Sequence, residues 1–265
     1  MSDIFEFHDG NELRRLGLLE QPVESLRYAW PVFGESDGAP PLVPREQWQE
    51  VSLKPLVRQV NDQNGYGMCA SSGTQNTIEI ARDLAGLEYV PLSAGDLYRR
   101  VCVGGRDNGS LPEDNLEELL RNGIAPVSDV PYLEWKREIG TANRAKYRGL
   151  EAWRCPTAAH VASALQHGFP CLIGYFHHAN DEPDRDGWMT RPSGGRGGHA
   201  VCVIGMKERA GQWGFEFENS WSTRWGIGGY GVLPEDRVAY GIRSFQSWSL
   251  RATVQESGKL PPLKV

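Results

Sequence analysis

The stretch Gln63-Asn-Gly-Tyr-Gly-Met-Cys69-Ala-Ser-Ser-Gly is a glycine-punctuated loop running into a helical pattern, with a cysteine at the point where the helix begins. A thiol placed there lies at the positive end of the helix dipole, beside backbone N–H groups that have no intrahelical partner, and both favour thiolate over thiol. Alone, Cys69 reads equally as a small buried hydrophobe. A nucleophile needs a base, and two distant strings offer one. Gly197-Gly198-His199-Ala200-Val201 sets a histidine at the start of an apolar run, and Phe215-Glu-Phe217-Glu-Asn219-Ser220-Trp221 ends an alternating run on an asparagine. On adjacent antiparallel strands, side chains of matching parity face the same way, so His199 and Asn219 can lie side by side. The asparagine oxygen then accepts from one imidazole N–H and leaves the other ring nitrogen for Cys69.

His199 and Asn219 follow Cys69 by 130 and 150 residues, the limits of the spacing known for papain-like cysteine peptidases. Asn219-Ser-Trp221-Ser-Thr-Arg-Trp225-Gly226-Ile-Gly228-Gly229-Tyr230-Gly231 and, upstream, Val43-Pro44-Arg-Glu-Gln-Trp48 add to the likeness. Over about residues 42 to 250 the chain resembles that family. The resemblance implies an α+β, two-lobe fold: a helical lobe at about 42–150, an antiparallel β-barrel-like lobe at about 151–250, and the active site in the cleft between. It implies a peptidase domain over 42–255 and a tail over 256–265. It assigns Cys69 as nucleophile, His199 as base and acid, Asn219 as orienting partner, and Gln63 as oxyanion donor beside the Cys69 N–H. Trp221 would keep water off the Asn–His bond. Asn108, Gly109 and Ser110, with Gly198, would line the substrate, a protein or peptide paired as an added strand. No metal or organic cofactor is implied.

The chain departs from the family pattern in ways that keep other readings open. The cysteine pair that would tie the nucleophile loop to the Asn108 segment is replaced at both positions, by Tyr66 and Asp107, and no tryptophan follows Cys69. Ser110 stands where the family has glycine, and its side chain is expected to crowd the substrate's approach. One alternative is a non-proteolytic structural or binding protein that retains the fold, such as a phage or bacterial assembly component. Another is a thiol-dependent acyltransferase or amidase.

The elements that must position these residues follow from periodicity. Gly73, Thr77, Ile80, Ala81 and Leu84 recur at helical spacing after Cys69, with Gly86 as a stop. Thr157 reads as the N-cap of a second helix that ends at Gly168, with His160 and His167 on its solvated side. Phe169 to Phe176 has strand character. The segment from His177 through Asp181, Asp184 and Asp186 to Gly198 has loop composition without the spacing of metal ligands. Ala200–Ile204 and Trp213–Phe217 read as strands joined by a hairpin loop over 207–212. Residues 1–41 read as an N-terminal extension with a short helix from Asn11 to Leu19. It is shorter than the family's helical propeptide, so either the cleft needs no masking or the extension covers it in a simpler way.

A net charge of −6 and a pI near 5.6, with no basic run, exclude a general nucleic-acid binder. No apolar stretch is long enough to cross a membrane and the first residues are acidic, so no membrane partner and a cytoplasmic location are expected. Five cysteines without metal-ligand spacing suit a reducing compartment, with Cys171 and Cys202 as core residues.

Overall fold

A computed structural model describes residues 4–149, 151–251 and 262–263. The proposed tail over 256–265 lies almost wholly outside the described residues.

Helix α1 (Cys69–Leu84) begins at the cysteine itself and passes through the middle of the protein, so that every residue from Cys69 to Arg82 is buried. Helices α2 (Ala94–Val101) and α3 (Pro112–Arg121) pack beside it and complete the helical lobe. Ser93 caps α2 through its hydroxyl, and Pro112 opens α3 at a position where its missing N–H costs nothing.

The other lobe is one antiparallel sheet. Its strands β4 (Glu151–Arg154), β9 (Ser247–Arg251), β5 (Cys171–His178), β6 (Arg196–Arg209), β7 (Gln212–Glu218) and β8 (Tyr230–Pro234) pair in that order, and the short β3 (Val51–Ser52) adds to the outer part of β6. The barrel-like lobe expected from the sequence is not present. Beyond one isolated bridge each, to Val32 and to Trp188, β4 and β8 pair with a single strand and stand at opposite edges, so the sheet is open. Closure is prevented by topology, because the last strand inserts between β4 and β5 instead of bridging the two edges.

Strand alternation divides the core. Ile173, Tyr175, Val201, Val203, Phe215 and Phe217 face helices α4 (Ala158–Gln166) and α5 (Glu235–Phe245), whereas Leu172, Ala200, Trp248 and Leu250 face α1. The β6–β7 turn is tighter than expected: the strands run on to Arg209 and Gln212, and Ala210 and Gly211 both take positive φ, as a two-residue hairpin turn requires. Thr157 caps α4 as expected, but His160 is buried against Thr157 and Glu35 and not solvated. His177 is likewise buried, because β5 runs two residues beyond Phe176.

Residues 11–19 form no helix. The segment makes a hairpin, β1 (Phe5–His8) with β2 (Leu13–Leu16), and then an extended strap over 17–19. Pairing with the cleft overrides the three-residue leucine spacing. Beyond the strap the chain is anchored on Glu113, whose buried carboxylate accepts from the N–H groups of Arg27 and Tyr28, Trp30 Nε1 and Gln21 Nε2. Trp30 and Phe33 enter the core.

Candidate active site

Cys69 is fully buried at the first turn of α1. Burial raises its thiol pKa, and the backbone N–H groups of Ala200, Gly17 and Ala70 that bear on the sulfur act the other way. Strand β6, whose Ala200 N–H bears on the sulfur, carries His199 as the preceding residue. Its Nε2 lies 2.8 Å from Asn219 Oδ1, and the same oxygen accepts from the Ser220 N–H at 2.8 Å, which fixes the amide's orientation. Nε2 therefore carries the proton, and Nδ1, which has no hydrogen-bond partner, presents a lone pair. The Trp221 ring lies nearly parallel to the imidazole, 4.5 Å away, and seals the pair from water. Burial pulls the His199 pKa down to about 4; the Asn219 bond opposes that shift, and the Arg14 charge adds to it.

The loop before Cys69 is tied to the segment that follows β7 and carries Asn219. The Gln63 N–H donates to the Ser220 carbonyl at 2.8 Å, and the Ser220 hydroxyl donates to Gln63 Oε1 at 2.6 Å. The Gln63 side-chain N–H groups are both engaged, one on Tyr66 O at 2.7 Å and one on Arg15 O at 3.3 Å.

The strap crosses this site. Leu18 N–H donates to Gly198 O and Leu19 N–H to Ser110 O, both at 3.2 Å, while Ser110 N–H donates to Gly17 O at 2.9 Å. The predicted substrate-lining residues Gly109, Ser110 and Gly198 are thus gathered around Leu18, and Asn108 lies at the exposed end of the same loop. Ser110 does not crowd the approach: its hydroxyl accepts from Asn115 Nδ2 at 2.9 Å, toward α3. Close passage is possible only because the crossing points lack side chains. A Cβ on Gly17 would strike the Gly67 carbonyl, one on Gly109 (φ +77°) the Gly17 carbonyl, and one on Gly198 the Leu18 carbonyl. The hairpin covers the remainder, with Phe7 5.6 Å from Trp221 and Arg14 donating to the Trp221 carbonyl.

Residues 44–250, which include Cys69, His199 and Asn219, match the family described as Papain family cysteine protease. The chain belongs to that family. An uncharacterized peptidase C1-like protein of Acanthamoeba polyphaga mimivirus is 29% identical over 119 residues, covering 41% of this chain and 38% of that protein. A cysteine protease of Blomia tropicalis is 23% identical over 224 residues, 76% of this chain and 64% of that protein. The chain thus spans less than two thirds of the length of these relatives. Two solved structures share the family fold. Xylellain, a cysteine protease of Xylella fastidiosa, aligns with a TM-score of 0.69 at 19% identity, covering 86% of this chain and 98% of that one. A procathepsin B of Trypanosoma congolense aligns with a TM-score of 0.70 at 17% identity, covering 91% and 87%.

Several residues around this site are not marked by any local sequence pattern. Ser220 sits inside the Asn-Ser-Trp string and links Gln63 to Asn219. Arg14, buried between Asp9 and Asp62, pins the hairpin over Trp221. Gly17, flanked by Leu16 and Leu18, is the kind of bare position a close crossing needs. All five cysteines are free. Among the described residues no three His, Cys, Asp or Glu side chains are arranged to hold a metal: His177 packs against Trp221 and Tyr175, Asp181 pairs with Arg237, and Asp184 with Arg209.

Proposed function

We propose that the protein is a cysteine peptidase whose cleft is masked by its own residues 17–19. The observation that carries this reading is the fixed imidazole: Nε2–H committed to Asn219, Nδ1 left without a partner, and the N–H of the next residue, Ala200, bearing on the Cys69 sulfur. Nδ1 takes the thiol proton, the sulfur attacks a peptide carbonyl carbon, and a C–S bond forms as negative charge moves to oxygen. The Cys69 N–H and the Gln63 side-chain amide hold that oxyanion. One Gln63 N–H now rests on Arg15 O, so departure of the strap releases it for this task. His199 then gives its proton to the departing amine, and water hydrolyses the thioester. Leu18, set between Gly174, Gly198 and Phe245, favours a substrate side chain of leucine size at that place.

The test is labelling by an epoxide-type thiol-protease probe, read by mass, on the wild type, Gly17→Ala, and Gly17→Ala with Cys69→Ala. Labelling of Gly17→Ala at Cys69 and its loss in the double variant are expected. A folded Gly17→Ala protein that takes no label would sink the reading. Labelling without cleavage of any peptide library would point instead to transfer onto an acceptor other than water.

A further inference from the structure

Asp107 stands where three parts of the molecule meet. Its Oδ1 accepts from the Gly67 N–H at 2.9 Å, two residues before Cys69, and from the Tyr98 hydroxyl at 2.7 Å. That hydroxyl accepts in turn from the Gly109 N–H at 3.0 Å, in the segment that pairs with the strap. Oδ2 accepts from Arg15 at 2.6 Å, and Arg15, at the end of the hairpin, also contacts Glu6 at 2.7 Å. The carboxylate is largely shielded from solvent, so its bonds to the charged Arg15 and to Gly67 are of the stronger kind. Tyr98, fully buried against Trp135, gives the node a rigid wall.

We propose that Asp107 is a positioning residue for the nucleophile loop and, through its second oxygen, the latch that reports to that loop whether the strap is seated. Oδ1 fixes Gly67 and, by way of Tyr98, Gly109, so the nucleophile and the substrate-pairing edge keep one spacing whether the strap is present or not. Oδ2 holds Arg15 only while the hairpin is down. Substitution separates the two roles. Asparagine keeps an oxygen for Gly67 and Tyr98 but turns an NH₂ toward Arg15, whereas alanine removes both. Arg15→Gln loosens only the latch. This inference rests on the peptidase reading, and its test keeps the two apart.

The experiment uses the full chain and two readouts: the pH profile of Cys69 alkylation by iodoacetamide, mapped by peptide mass, and turnover of a fluorogenic leucyl peptide amide. In the otherwise wild-type chain, Asp107→Asn and Arg15→Gln are each expected to speed Cys69 alkylation about fivefold or more, because the latch is lost. In the Gly17→Ala background, Asp107→Asn is expected to keep the alkylation seen at about pH 5.5, the mark of an assembled thiolate–imidazolium pair, while Asp107→Ala lowers it about tenfold. Equal profiles for Asp107→Asn and Asp107→Ala would overturn the positioning role. Unchanged alkylation in both Asp107→Asn and Arg15→Gln, with Gly17→Ala reactive, would overturn the latch. Should Asp107→Ala fail to fold, Tyr98→Phe in the Gly17→Ala background takes its place. It is expected to weaken inactivation by a leucine-bearing peptidyl epoxide about threefold or more, and an unchanged inactivation constant counts against the proposal. Alkylation at low pH without any turnover would defeat the peptidase reading alone, since alkylation still decides the role of Asp107.

Discussion

On the sheet side of the cleft, His199 rides on β6 and Asn219 directly follows the end of the neighbouring β7, and Trp221 closes over them two residues later. On the helical side, the loop from Gln63 to Met68 has no regular structure. It takes its shape from side chains far away in the chain: Ser220, Asp107 and, through Arg15 O, the N-terminal segment itself. One side is preassembled by the backbone ladder, while the other is held by a few polar contacts, some of which belong to the strap. The N-terminal segment thus reaches both sides, bonding Ser110 and Gln63 on the helical side and covering Gly198 and Trp221 on the sheet side, but only on the helical side does it help to set the shape of the loop.

Removing the base is expected to give the largest effect: in the Gly17→Ala background, His199→Ala should lower peptide turnover about 10³-fold with the fold retained by circular dichroism. Asn219→Ala leaves the ring in place without its anchor and should cost about 10²-fold in kcat, with KM little changed. A small loss there would mean that Trp221 alone orients the imidazole. On the helical side, three backbone hydrogen bonds seat the strap, worth about 1 kcal/mol each. Gly17→Ala, whose Cβ cannot fit beside Gly67, should therefore speed labelling of Cys69 by about 10–100-fold. A wild-type protein that labels as fast as Gly17→Ala would erase the contrast between the two sides.

Acid is expected to act more gently in the same direction. With the strap seated His199 titrates near 4, below the ordinary 6.5, because it is buried. An open site restores water and raises that value, so the open form binds more protons as pH falls from about 6.5 toward 4, and acidification favours opening. Labelling of the wild type should rise over that interval when corrected for probe reactivity. The smallest effect on the cleft is expected at Glu79, on α1 well past the first turn, whose carboxyl is pushed up to about 7 by burial. A folded pKa raised above the unfolded value contributes stability fully present below about 4.5 and lost as pH rises through about 7. Glu79→Gln should flatten that part of the urea-stability profile without changing Cys69 labelling.

What the sequence disclosed follows the same division. α1 and the two strands of the hairpin are local patterns: α1 begins at Cys69 as read, and β6 and β7 form where read but run beyond the bounds given them. The open sheet was not legible, because strand order depends on where β9 inserts, a pairing between residues nearly a hundred positions apart. Leu13, Leu16 and Leu19 suggested a helix, yet Leu16 and Leu18 are buried by the cleft and the sheet while Leu13 stays exposed, so the tertiary surroundings outvoted the spacing. Asp107 was visible only as a missing cysteine. Its partners, Gly67, Tyr98 and Arg15, come from three segments that no window of sequence contains.

The bare crossing of Gly17 with Gly67 and Gly109, and of Leu18 with Gly198, also bears on inheritance. Every glycine codon is one base away from codons for residues with a side chain, and at Gly17, Gly109 and Gly198 any such change removes room the strap requires. Loss of the mask is thus a single-nucleotide event reachable from several places in the gene. Regaining it demands reversion at the altered codon, so a lineage that retains the strap does so only under continuing selection for restraint.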